Sequence, residues 1–209
     1  MNPAAQHEDM HGVADALNRT LTPPPAGRHE PPARHAARVA QILRAHGYSG
    51  SVVTAGLLHH ALECYRPAFT ERDLLTVGAP SRVVALVGFV TRTRFDPTAS
   101  LALAGLDRAA RERARERAWA WMIERLDAAN DPDAWAIRLA DLLDNLSGRE
   151  GWRGARAEAL RAVQAPMTLA LSAPSLSATS LWRATLRAWG GSLDVALPGA
   201  AAQYRRLLH

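Results

Sequence analysis

Apolar residues recur every three to four positions along most of the chain. No run shows the sustained polar–apolar alternation of half-buried strands, so the pattern predicts helix after helix. A first amphipathic stretch spans about His7 to Asn18. The breaker-rich segment TLTPPPAGRHEPP at 20–32 ends it. The next helix, Ala33 to His46, sets Ala36, Val39, Ala40 and Leu43 at helical spacing. After Gly47 and Gly50, Ser51 to Glu63 carries a stripe of Val53, Leu57, Leu58 and Leu62. The β-branched segment from Ala79 to Val90 could be strand or helix by periodicity alone. Pro80 beside Ser81 favours a buried helix.

A long helix is expected from Leu106 to Asp127, with a charged start (RAARERARER) and Trp119 and Trp121 further on. Its Glu and Arg residues, three and four apart, make a solvated, mutually paired face. Asp131 followed by Pro132 reads as an N-cap and an N1 proline, opening a helix through Leu146. Helices follow near Arg153 to Val163 and Leu176 to Trp189, with a Ser/Pro-rich loop at 172–177. The expected class is all-α. The group Trp119, Trp121 and Trp135 reads as core.

Composition narrows the setting. The chain has 209 residues, 48% of them hydrophobic, enough for one domain with a sizeable core. No apolar run is long enough to cross a bilayer, and the N-terminal residues lack a secretory pattern. The single Cys64 cannot pair internally, which fits a reducing cytoplasm. All 25 cationic residues are arginine and the net charge is +5. Such arginine and alanine bias reads as coding bias rather than a nucleic-acid footprint. An Arg-rich helical nucleic-acid binder is therefore the weakest of three functional readings. The positive field still attracts small anions.

Three segments place polar residues inside apolar helices. They are His35, the pair His59–His60 in AGLLHHALE, and Asp141 in IRLADLLDNL. Each alone has a plain explanation: a hydrogen-bonded histidine, or Asp141 paired with Arg138 one turn earlier. Together, imidazoles and a carboxylate converging from three helices form a normal ligand set for Mn²⁺, Fe²⁺ or Zn²⁺. Helical spacing puts Glu63 on the His59 face and Asn145 on the Asp141 face. Glu63 is then placed to orient or deprotonate an attacking water.

Order and context resemble the HD domain of the RelA/SpoT and small alarmone hydrolase family, across roughly residues 28–150. RHEPPARHAARVAQIL resembles the segment ending in that family's first ligand histidine, at His35. AGLLHHALE resembles its LLHD-x-x-ED segment, with His59 on the histidine and Glu63 on the glutamate. IRLADLLDNL resembles IKLADRLHNM, with Asp141 on the last metal ligand and Asn145 on a nucleoside-contacting asparagine. Val90 to Arg92 resembles the VTK that follows its central helices.

The resemblance implies an HD-domain helical bundle. It divides the chain into an N-terminal helix and Pro-rich loop (1–32), a metal-site core (33–150) and C-terminal helices packed on it (151–209). It also implies a metal-dependent phosphohydrolase that removes pyrophosphate from the 3′ position of guanosine tetra- or pentaphosphate. His35, His59, His60 and Asp141 would hold one divalent ion, Mn²⁺ by resemblance and Fe²⁺ or Zn²⁺ given His60. Glu63 would handle the water, and Arg28, Arg92, Arg138 and Asn145 would bind the phosphorylated nucleotide. A homo-oligomer is left open. No membrane partner is expected.

Two departures fall on the chemistry. His60 stands where the family has the aspartate of its HD pair, and Cys64 where it has the second acid of its ED pair. The alternative is thus a catalytically degenerate HD-domain protein serving as a nucleotide-binding or protein-interaction module.

Overall fold

The computed structural model describes residues 32–64, 70–92, 107–147 and 155–193, and these are helical apart from turns and connections. The helices are α1 (Pro32–Ala45), α2 (Gly50–Leu58), α3 (Ala61–Cys64), α4 (Glu71–Thr76) and α5 (Ser81–Val90). After them come α6 (Arg108–Ala129), α7 (Pro132–Leu146), α8 (Ala155–Ala159), a π-helical turn (Leu160–Gln164), α9 (Ala165–Leu176) and α10 (Ser180–Leu193). The amphipathic stretch expected at His7 to Asn18, the Pro-rich segment and Arg28 lie outside the described residues.

Helix α7 is the axis of the bundle. It is buried from Ala134 through Leu142 and again at Asp144 and Asn145. A helix apolar nearly all round must sit inside, and α1, α2, α5, α9 and α10 all pack on it. Asp131 opens α7 by accepting from the Asp133 and Ala134 amides, with Pro132 in the first turn. Trp135, 1% exposed, anchors the centre. A buried tryptophan removes about 150–250 Å² from water, worth about 4–6 kcal/mol at 25 cal/mol per Å².

Helices α1 and α2 approach closely at Gly56, where a Cβ would come within 2.6 Å of Leu43 Cδ1. The absent side chain lets α2 sit against α1 and brings His59, at its C-terminus, near His35. Helix α5 forms as expected, although Pro80 is its N-cap and Ser81 its first residue. Helix α6 is capped by the Asp107 carboxylate on the Ala110 amide and ends at Asn130 in the left-handed region, φ 46°.

Three expectations are corrected, and one helix was missed. The stripe at Ser51 to Glu63 is two short helices with a turn at His59–His60. There the His59 ring takes the Gly56 carbonyl (2.6 Å) that the next helical turn would use. The expected loop at 172–177 is helical to Leu176, with Pro174 inside α9. Ser172 satisfies its hydroxyl on the Thr168 carbonyl (2.7 Å), and packing of Leu176 outweighs the breaker composition. Trp119 and Trp135 are core, but Trp121 is 42% exposed and lies under the Arg125 guanidinium, 4.3 Å from its carbon. Helix α4 was not anticipated, although Thr70 and Asp73 form a reciprocal capping box that is readable in the sequence. No helix among the described residues is long and apolar enough to cross a membrane.

Candidate metal centre

Three parts of the chain bring the expected site residues together. His35 comes from the middle of α1, and His59 and His60 from the turn between α2 and α3. Asp141 comes from the buried face of α7. One ligand atom from each of His35, His59 and His60 lies within 4.8 Å of the others. The ring centroids of His59 and His60 are 4.0 Å apart, and those of His35 and His59 5.1 Å.

Asp141 Oδ1 faces this cluster. It is 3.1 Å from His35 Nε2 and 4.0 Å from His59 Nε2, and it accepts from Asn145 Nδ2 at 2.7 Å. Its other oxygen accepts from Arg138 Nη1. Asn145 is therefore buried against Asp141.

Histidine orientation is set from behind. The Gly56 carbonyl holds His59 Nδ1–H, which leaves Nε2 as the lone-pair nitrogen, buried and without a hydrogen-bond partner. A backbone carbonyl behind an imidazole is a common way to fix the tautomer of a metal ligand. Burial and the neighbouring His60 and His35 push His59 well below 6.5, so it is neutral and ready to coordinate. For Asp141, burial raises the carboxyl, but the Arg138 charge and the His35 hydrogen bond outweigh it and hold the group ionised. Three imidazoles beside an ionised carboxylate, with one orphaned inward nitrogen, fit a divalent ion.

The cleft beside the cluster is lined by His59, His60, Glu63, Arg92, Arg138 and Asp141. Glu63 lines the same cleft as His59, from beyond the turn that separates α2 and α3. Its Oε2 lies 3.5 Å from His60 Nδ1, and its Oε1 accepts from the Arg92 backbone N–H. Burial pushes the Glu63 carboxyl up from 4.5. The His60 hydrogen bond, the Arg92 charge and the Arg92 amide outweigh burial and hold it at about 2.

Three contributors were missed in the sequence. Asp144 is buried and bonds His35 Nδ1 at 2.7 Å, and Arg38 grips Asp144 from α1. Arg125 of α6 donates to the carbonyls of Phe89 and Thr91, which fixes the segment carrying Arg92. The DLLD spacing was the available signal for Asp144, since it lies one turn from Asp141. Arg125 gave none, because its partners are backbone atoms distant in sequence.

The profile of the HD domain family matches residues 17–171, most of the chain. The chain belongs to the HD-domain family. Its superfamily is that of the HD-domain phosphohydrolases, whose members bind divalent metals. This HD-domain protein also resembles a solved structure described as a metazoan ortholog of SpoT that hydrolyzes ppGpp and plays a role in starvation responses. The identity is 20% and the TM-score 0.51, over 100% of this chain and 96% of the other. That likeness speaks to fold. No curated protein sequence matches the chain.

The depressed carboxyls give a pH dependence of known sign. A native carboxyl at about 2 against 4.5 binds fewer protons than the unfolded chain between those values, so stability falls as pH drops through that window. Asp141 and Asp144, both lowered from 3.8, act in the same direction. The two core histidines oppose each other. His59, depressed, costs stability below 6.5, whereas His35, raised by Asp141 and Asp144 despite burial, adds it. The urea midpoint of the metal-free protein is expected to fall as pH drops below 6.5, through His59, and more steeply below 4.5, where the carboxyls join it. In Glu63→Gln the acid limb should be shallower. An unchanged limb in that variant would remove Glu63 from the account.

Proposed function

We propose that the chain is a metal-dependent phosphohydrolase acting on a phosphorylated nucleotide. The favoured reaction is release of pyrophosphate from the 3′ position of guanosine tetra- or pentaphosphate. One observation carries the reading: Arg138 and Arg92 line the same cleft as the histidine–aspartate cluster. Arg138 keeps Nε and Nη2 buried without hydrogen-bond partners. A phosphate placed there meets a guanidinium and the cluster together, an arrangement that recognises phosphate through charge-assisted hydrogen bonds.

His35, His59, His60 and Asp141 hold the ion. When bound, such an ion polarises a phosphoryl oxygen and lowers the pKa of water from about 16 toward 7. With its pKa near 2, Glu63 is too weak a base to keep a proton at neutral pH. It orients the attacking water by accepting a hydrogen bond. Arg92 and Arg138 bind phosphate, while Asn145 and Arg28 remain assigned to the nucleoside by resemblance. His60 in place of a carboxylate favours Fe²⁺ or Zn²⁺ alongside Mn²⁺, as one ion rather than a bridged pair.

The chemistry is placed in residues 33–150. Beyond that core, the described helices α9 and α10 pack on α7, which supports a division near residue 150. The setting is cytoplasmic, in keeping with a single cysteine. A second reading, a degenerate HD-domain binding module, is favoured by His60 itself and by the weakness of Glu63 as a base.

The deciding measurement is bound metal together with pyrophosphate release from guanosine tetraphosphate in Mn²⁺, Fe²⁺ or Zn²⁺. Turnover with at least one ion is expected. His60→Asp should raise the Mn²⁺-supported rate by about 10-fold, the low end of what changes around a metal site produce. Metal bound without turnover, in wild type and His60→Asp alike, would favour the binding module. No metal and no turnover with any ion would sink the enzyme reading.

A further inference from the structure

Helices α1 and α7 face each other with matched spacing. His35 and Arg38 are three apart on one, Asp141 and Asp144 three apart on the other. The His35 ring bridges the two aspartates, with Nε2 3.1 Å from Asp141 Oδ1 and Nδ1 2.7 Å from Asp144 Oδ2. Arg38 then closes on Asp144 from the same side as His35. Its Nε donates to Oδ1 at 2.7 Å and its Nη2 to Oδ2 at 2.8 Å. The Asp144 side chain is 2% exposed and is not among the residues that line the cleft. Its carboxylate is thus committed to two partners, both on α1.

We propose that Asp144, held at both oxygens by Arg38, is a positioning residue for His35. It keeps the proton on Nδ1 and presents Nε2 to the ion beside Asp141. This rests on the metal-site reading above. The physical reason is that a neutral imidazole has one donor and one acceptor nitrogen, and the hydrogen bond at one decides the role of the other. A carboxylate behind the ring also makes the coordinating nitrogen more basic. The bidentate arginine fixes the plane of that carboxylate, so the ring has one orientation that satisfies both nitrogens. His59 obtains the same result from the Gly56 carbonyl. The two ligand histidines are therefore oriented by different means, one by backbone and one by a side-chain pair.

The test separates positioning from metal binding. In metal-free protein, nitrogen NMR of the imidazoles is followed upward in pH until His35 is neutral. Wild type is expected to carry the proton on Nδ1, and Asp144→Ala to show both tautomers. Zn²⁺ and Co²⁺ titrations should give an affinity lower by about 10–100-fold in Asp144→Ala. The loss should be smaller in Asp144→Asn, whose amide oxygen still accepts from the ring. Arg38→Gln, which keeps the ring's partner but frees its plane, should also weaken the ion, and it decides the question if Asp144→Ala does not fold.

Wild-type tautomer and unchanged affinity in a folded Asp144→Ala or Arg38→Gln would reduce the contact to a structural ion pair and overturn the inference. Ion uptake by wild type that His59→Ala abolishes supports the metal site independently. Failure of wild type to take up any ion would instead bring down the metal-site reading, and this inference with it.

Discussion

Asp141→Ala is expected to lose ion binding and hydrolysis together, and to destabilise the metal-free protein by about 3–5 kcal/mol. The two losses have different origins. Binding fails because Oδ1 is the carboxylate oxygen facing the three imidazoles. Affinity should drop by more than about 100-fold, given that changes behind a ligand alone cost 10–100-fold. Stability fails because Arg138, 2% exposed, loses the carboxylate that receives its Nη1, and Asn145 loses the partner of its amide. A guanidinium cannot shed its charge to escape burial. Urea unfolding without metal and calorimetric ion titration read the two effects separately. If the variant lost ion binding with an unchanged urea midpoint, the Arg138–Asp141 pair would not be a buried charge pair in solution.

Arg138→Met should produce a metal-dependent stability defect. The methionine fills the aliphatic path of the arginine while removing its charge. Asp141 is then left ionised and buried against His35, His59 and Asn145, without a guanidinium, at a cost of about 3–5 kcal/mol without metal. A divalent ion supplies the missing positive charge, so saturating metal should recover most of that loss. Wild type gains only the ordinary linkage term, about 2.7 kcal/mol at a hundredfold excess over Kd. Thermal unfolding with and without Zn²⁺ or Mn²⁺ measures the difference. An equal gain from metal in both proteins would show that the ion does not substitute for Arg138 beside Asp141. Hydrolysis should fall in the variant even when loaded, since Arg138 also lines the cleft proposed to take phosphate.

These two variants turn on a pair that the sequence displayed in a single helix. Asp141 among Leu139, Ala140, Leu142 and Leu143 was conspicuous because a charge in an apolar stripe needs a partner. Two partners were legible, Arg138 one turn back and histidines elsewhere, and the fold uses both. The all-α class followed from periodicity, and α7 from its Asp–Pro start. Breaker composition misled at 172–177. A serine hydroxyl can satisfy itself on the preceding turn, and packing decides whether a proline stays inside a helix. The turn at His59–His60 was invisible for a related reason. Only the close approach of α1 and α2 at Gly56 and the ring's bond to that carbonyl show why the stripe is interrupted.

The sequence by itself determined the helical class, the helix that opens at Asp131 and Pro132, and which polar residues to look for inside it, because periodicity and misplaced polarity are local properties of a chain. Only the tertiary structure decided their states. Glu63 became a still weaker base through the His60 hydrogen bond and the Arg92 segment folded over it. Asp144 and Arg38 joined the site because α1 and α7 pack in matching register. Protonation and orientation depend on what stands within a few ångströms of a group, and for His35 those neighbours lie 106 and 109 residues away along the chain.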